Sequence, residues 1–267
     1  MINLRLVRRF GLSGEDMAEL ITKNSGQGDT IFLFPEYTFK EKFVNEEITR
    51  LLQGISLAKG SHVFCSAYVL EKKNEVEKRR EEYFRAHQVD ESWADNALMN
   101  LFFTQTYSNF GYLVSGGEHG NKIFSYRKNI STIFDSFNIP SGNPLVKLRA
   151  KKSDERRGVE YDDEFNPSRE RVSFPFISVE GKTLEFRVCA DIECSSENDP
   201  DMVLVSAHNL FNVRGRTNNS LKNKPLIIND SGGHFIPLAY VDGKDYRTRW
   251  GMSRIFYEKG IDIRLLR

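Results

Sequence analysis

The chain has 267 residues, 39% of them hydrophobic, and a formal net charge of +1 from 38 Lys and Arg against 37 Asp and Glu. This length can bury a large core, and the charge balance gives no general electrostatic case for nucleic acid or an anionic membrane, both of which favour a concentrated basic surface. Cys65, Cys189 and Cys194 cannot all pair, and with five scattered histidines their spacing fits neither a disulfide framework nor a zinc site.

Ile2, Leu4, Leu6 and Val7 predict an opening strand. In Leu12-Ser13-Gly14-Glu15-Asp16-Met17, Ser13 can cap a helix with Asp16 near its first turn, and Leu12 and Met17 have the spacing of a hydrophobic staple. That helix runs to about Lys23 and buries Met17, Leu20 and Ile21. Thr30 to Phe34 is continuously apolar, as expected of a strand buried on both faces. Phe43, Val44, Ile48, Leu51, Leu52 and Ile55 recur at helical spacing, so a second helix is expected over Glu41 to Lys59 with Gly60 as its stop. Val63 to Leu70 is the next strand. This β-α-β-α-β alternation implies an α/β protein of stacked sheet and helix layers.

The stretches near 71–95 and 147–170 are rich in both charge signs. Acids neutralise bases there, so they are expected as solvated excursions inserted in a single domain spanning 1–267, at least one of them overhanging the site. Ser115-Gly116-Gly117-Glu118-His119-Gly120 and the glycine-rich run after Asn229 lack the Lys-Ser/Thr ending of a phosphate loop and the dinucleotide fingerprint, and read as tight turns. No apolar run approaches a membrane span, and the N-terminus reads as a charged strand; a cytoplasmic protein is expected.

Three short strings carry the chemistry: Phe34-Pro35-Glu36, Tyr126-Arg127-Lys128 and Val188-Cys189-Ala190-Asp191, each at the C-terminal end of an apolar run. Strand ends of this kind converge in layered α/β proteins. Taken singly, Glu36 is a strand-end carboxylate capping the next helix, Lys128 a solvated lysine and Cys189 a small core residue. Together they supply a base, an oxyanion partner and a nucleophile. Leu184, Phe186 and Val188 alternate with Glu185, Arg187 and Cys189, so the thiol is expected to point away from the apolar face of its strand. Cys65, in an apolar run, reads as a core thiol, and Cys194 is a weak rival nucleophile with no strand leading into it.

In these contexts and this order the three strings resemble the Glu-Lys-Cys triad of the nitrilase, or carbon-nitrogen hydrolase, superfamily. The resemblance extends through Asp29–Glu36, the Asn109–Lys128 hairpin and the strands around Cys189 and Asp201–Ser206. It implies a four-layer α-β-β-α sandwich, a homodimer, and a thiol amidohydrolase of the amidase-like branch acting on a small-molecule amide through a Cys189 thioester. Glu36 would be general base and Lys128 would hold the oxyanion beside the backbone N–H after Cys189, with no cofactor needed. The family's second glutamate matches Glu160 only loosely, because Gly158-Val159-Glu160 has one residue too many, and a solvated acidic loop explains Glu160 equally well. His208 and Asn209 follow the next strand and are candidates for the pocket rim. Ala190 departs from the residues common after the family's cysteine, which leaves the substrate open. The alternatives are a nitrile hydrolase or acyltransferase using the same triad, and a catalytically silent binding or signalling protein.

Overall fold

Two mixed sheets organise the computed structural model, which describes residues 2–25, 29–70, 107–128, 172–208, 210, 217–230, 238–241, 244–246, 257 and 261–266. The first contains β1 (Ile2–Val7), β2 (Thr30–Leu33), β3 (Lys42–Phe43), β4 (His62–Leu70), β5 (Tyr107–Ser115), β6 (Lys122–Arg127) and β13 (Ile261–Leu266), in the order β13-β1-β2-β4-β5-β6 with β3 beside β4. The second contains β7 (Phe176–Val179), β8 (Lys182–Val188), β9 (Met202–Ala207), β10 (Leu226–Asp230), β11 (Leu238–Val241) and β12 (Lys244–Tyr246), in the order β12-β11-β10-β9-β8-β7.

Strand direction decides where the chemistry can gather. β1, β2 and β4 are parallel, and β5 and β6 follow as antiparallel neighbours. Two reversals make β6 run the same way as β2, so both release their following residues, Glu36 and Lys128, at one end of the sheet. In the second sheet β8 and β9 are parallel and end in register, Val188 opposite Ser206.

The sheets meet face to face. Leu4, Leu6, Ile31, Leu33 and Phe64 of the first share one buried cluster with Leu184, Phe186, Val188, Leu204 and Ile227 of the second. The opposite face of the first sheet is covered by α1 (Gly14–Asn24) and α2 (Asn45–Gly54), which bury Met17, Ile21, Ile48 and Leu52 against Phe32, Phe34 and Val63. Each such side chain contributes about 2 kcal/mol of transfer free energy, so helix docking holds β2 firmly from that side. Helix, sheet and sheet are thus the layers among the described residues.

Two features set the spacing between the sheets. A Cβ on Gly111 would stand 2.6 Å from Tyr126 Cε1 and 3.0 Å from Val188 Cγ2, so glycine there lets β5 lie against β8. Asn229, at the end of β10, donates its amide to the carbonyls of Val7 and Leu33, both at 2.7 Å. It ties the second sheet to the ends of β1 and β2, three residues before Glu36.

The helix start at Ser13 is as expected. Asp16 N–H donates to Ser13 Oγ at 3.1 Å, and Ser13 N–H donates back to the Asp16 carboxylate at 3.2 Å. The second helix is shorter than the periodicity predicts. Lys42–Phe43 pairs with β4, Val44 caps the helix with its N–H on Glu47, and Ile55 is already extended after Gly54. Phe43 and Ile55 are buried all the same, so apolar spacing extended the helix through residues that pack from flanking segments. Gly60, placed as the stop, takes φ +81° in the turn before β4. The charged stretches near 71–95 and 147–170 fall outside the described residues.

Candidate active site

Proline at position 35 cannot continue a strand ladder, and just beyond it the chain delivers Glu36, whose N–H donates to the Ala207 carbonyl of β9 at 3.2 Å. Its side chain is buried. Lys128 Nζ donates to Glu36 Oε1 at 2.9 Å, with both side chains 1% exposed. Asn109 Nδ2 donates to the same oxygen at 2.8 Å. Asn109 sits in β5, and its carbonyl also accepts the Lys128 N–H at 2.9 Å, so one residue sets both partners. A buried carboxylate and ammonium persist only when paired and hydrogen-bonded, and the two donors on Oε1 provide that here.

Cys189 begins a 3-10 turn, Cys189–Glu193, where β8 stops. Its φ is +47°, a conformation that costs a non-glycine residue about 1–3 kcal/mol and persists only when surroundings over-determine it. Tyr37, next to Glu36, is also left-handed, at φ +61°. The hydroxyl of Tyr126 accepts the Val188 N–H at 2.7 Å and also bonds the Asp191 side chain, which brackets Cys189 from both sides. Burial, then the Asp191 carboxylate, holds the Tyr126 phenol well above its ordinary range, so it stays protonated and can donate.

The thiol lies 4.0 Å from the His208 carbonyl. Because Ala207 receives the Glu36 N–H and His208 faces the thiol, the carboxylate segment and the sulfur meet the end of β9 at consecutive residues. The strand ends before position 189, where Cys189 takes a left-handed φ and belongs to the buried cluster that also holds Leu184, Phe186 and Val188. Cys189 is 8% exposed and Cys65 fully buried. Burial pushes the Cys65 thiol far up, which makes it an inert core group. Cys194 is buried at the close of the same turn, its N–H on the Asp191 carbonyl.

Ala190 is buried within the turn, and the His208 ring stands edge-on to Tyr37 with centroids 4.8 Å apart. Glu160 and Asn209 fall outside the described residues. Sequence reasoning assigned no role to Asn109, Tyr126, Arg187 or Tyr37. Arg187 was visible as one of two charged residues alternating with Leu184, Phe186 and Val188, and Asn109 and Tyr126 lay inside the strings read from the sequence, but nothing local says which partner each one finds.

No family model matches the chain, and no curated protein matches it in sequence. Solved structures similar to it include an amidase from Nesterenkonia sp., with 13% identity over 96% of this chain and 95% of that one and a TM-score of 0.47. A cysteine-to-serine mutant of the Nesterenkonia AN1 amidase, described as from the nitrilase superfamily, matches with 14% identity over 91% and 83% and a TM-score of 0.46. A CN-hydrolase superfamily protein from Xanthomonas campestris, with an arsenic adduct in its active site, matches with 12% identity over 88% and 80% and a TM-score of 0.42.

Proposed function

We propose that this chain is a carbon-nitrogen hydrolase of the nitrilase superfamily, amidase-like, with Cys189 as nucleophile, Glu36 as general base and Lys128 as oxyanion partner. The observation that carries the reading is the buried Glu36–Lys128 pair at 2.9 Å, whose Glu36 N–H donates to the Ala207 carbonyl while the next carbonyl, that of His208, lies 4.0 Å from the thiol of a cysteine held at φ +47°. A strained nucleophile turn next to a dry ion pair stabilises nothing by itself, and such strain clusters where chemistry needs it.

In the proposed cycle Glu36 takes the thiol proton as Cys189 Sγ forms a bond to the amide carbon. Negative charge passes to the carbonyl oxygen, which Lys128 and the Ala190 N–H receive. Collapse of the tetrahedral adduct breaks the C–N bond, the leaving nitrogen takes the proton from Glu36, and a thioester remains on Cys189. Glu36 then deprotonates a water that attacks the thioester carbon, releasing the acid and returning the proton to the thiol. Asn109 fixes the carboxylate orientation throughout.

The reading includes a fourth, helical layer on the second sheet, one domain over 1–267, a homodimer, a small-molecule amide substrate and a cytoplasmic setting. Glu160 is the candidate second glutamate, with His208, Asn209 and Ala190 at the rim. Ammonia release across an amide and nitrile panel tests it: native protein turns over one class, and Cys189→Ala turns over none. Equal release by both would refute the assignment.

A further inference from the structure

We infer that Arg187 is a positioning residue that holds the Cys189 turn in its left-handed conformation, an inference that rests on the nucleophile reading of Cys189. Arg187 is among the largest fully buried side chains, and it lies two residues before the cysteine. Its Nη1 donates to the carbonyls of Asp191 and Cys194, both at 2.9 Å. Those carbonyls lie within and just beyond the turn that Cys189 opens. One planar guanidinium therefore ties both turn carbonyls through Nη1 while its Nε and Nη2 edge faces Glu185 Oε1, a division of donors over separate nitrogens that a lysine ammonium lacks.

The cation is itself anchored. Arg187 Nε donates to Glu185 Oε1 at 2.7 Å, and its ring neighbour Phe174 lies under the guanidinium carbon at 4.2 Å. Glu185 is fully buried and receives Ser196 Oγ on its other oxygen, with Asn198 nearby at 3.5 Å. Phe174 packs edge-on to Tyr126 at 5.5 Å, and Tyr126 brackets the same turn from the first sheet. A buried ion pair on a strand face is a poor way to gain stability, since apolar residues of similar volume do as well or better. Its presence fits a task those residues cannot perform, the capture of two turn carbonyls. Misplacing a reacting group by about 1 Å costs about 100-fold in rate.

Two variants test this. Arg187→Lys keeps a countercharge for Glu185 but has one nitrogen where the guanidinium holds Glu185 and the turn from separate ones, and Glu185→Gln/Arg187→Met removes both charges together so that neither is left buried alone. For each, the melting temperature, the kcat and KM for the best amide, and the site of alkylation by iodoacetamide are measured. The expected result is a folded protein with kcat lower by about 100-fold and KM within about twofold, together with loss of the selective labelling of Cys189 over Cys194. Native kcat in either folded variant, or a raised KM with kcat unchanged, overturns the inference while leaving the nucleophile assignment intact. A native protein that neither turns over nor labels at Cys189 sinks that assignment, and the inference with it.

Discussion

Neutralising Lys128 without touching Glu36 should unfold the protein more readily than its single ion pair suggests. Both side chains are 1% exposed, and Glu36 Oε1 receives Lys128 at 2.9 Å and Asn109 at 2.8 Å. Lys128→Met leaves a carboxylate buried without its countercharge, a change that costs about 3–5 kcal/mol. For a chain of this size each kcal/mol lowers the melting temperature by about 2–4 °C, so a fall on the order of 10 °C is expected. Glu36→Gln keeps an oxygen for Asn109 and Lys128 but strands the ammonium, and should cost about as much. The double variant Glu36→Gln/Lys128→Met carries no buried charge and should recover most of the loss, or exceed native stability by about 1 kcal/mol or more. Urea denaturation of the four proteins gives the coupling, and ammonia release from the same samples gives activity. All three variants should be inactive, so the double variant would be stable and dead, the pattern of a site held at the expense of stability. Simple addition of the two single losses in the double variant, or turnover by it, would refute the reasoning.

Other outcomes follow from the same structure. Gly111→Ala places a methyl 2.6 Å from Tyr126 Cε1; overpacking of about 1–3 kcal/mol is expected, and loss of turnover with fold retained would appear in parallel circular dichroism and ammonia assays. Ser13→Ala removes the cap of α1 and should lower stability by about 1 kcal/mol in urea titrations. The hydrogen bonds from Ser13 hold the Asp16 carboxyl below its ordinary range, so this contribution is present above the unfolded carboxyl pKa and disappears as pH falls through the folded one. His62 is partly buried, its Nδ1 2.8 Å from Ser115 Oγ, and desolvation lowers its pKa despite Asp29. The unfolded state therefore binds the His62 proton first, and native stability should fall as pH drops below about 6.5. His62→Gln should flatten that slope between pH 7 and 5, and an unchanged slope would assign the effect elsewhere.

Much of the architecture was legible because period and composition agree with burial. Thr30–Leu33 and Met202–Ala207 are buried along their whole length, and the apolar runs Ile31–Leu33 and Met202–Val205 announce it. Ser13 and Asp16 form the reciprocal cap that their spacing predicts. The second helix was overextended because Phe43 and Ile55 are as buried as helix residues while lying in extended flanks. Apolar spacing records burial, and only the competing β3–β4 pairing at Lys42–Phe43 shows that the backbone differs.

The candidate site was legible in its three charged or nucleophilic members and not in what holds them. Strand ends can be found from a run of apolar letters, so Glu36, Lys128 and Cys189 stand out. Alternation gives no guide at the decisive residue, because β8 ends at Val188 and Cys189 takes a φ of +47°. Nothing in the letters Val188-Cys189-Ala190 demands that turn, since only glycine advertises a left-handed conformation. The bonds around the turn are of two kinds. Val188 N–H finds Tyr126, 62 residues away in sequence, and the Asp191 and Cys194 carbonyls find Arg187, four and seven residues away. Tyr126 is two residues before Lys128, and Arg187 is two residues before Cys189. The groups that orient the site are thus carried on the same strands as the groups that would react, one turn of the pleat earlier. Tyr126 links the strand that leads to Lys128 in the first sheet to the strand that leads to Cys189 in the second.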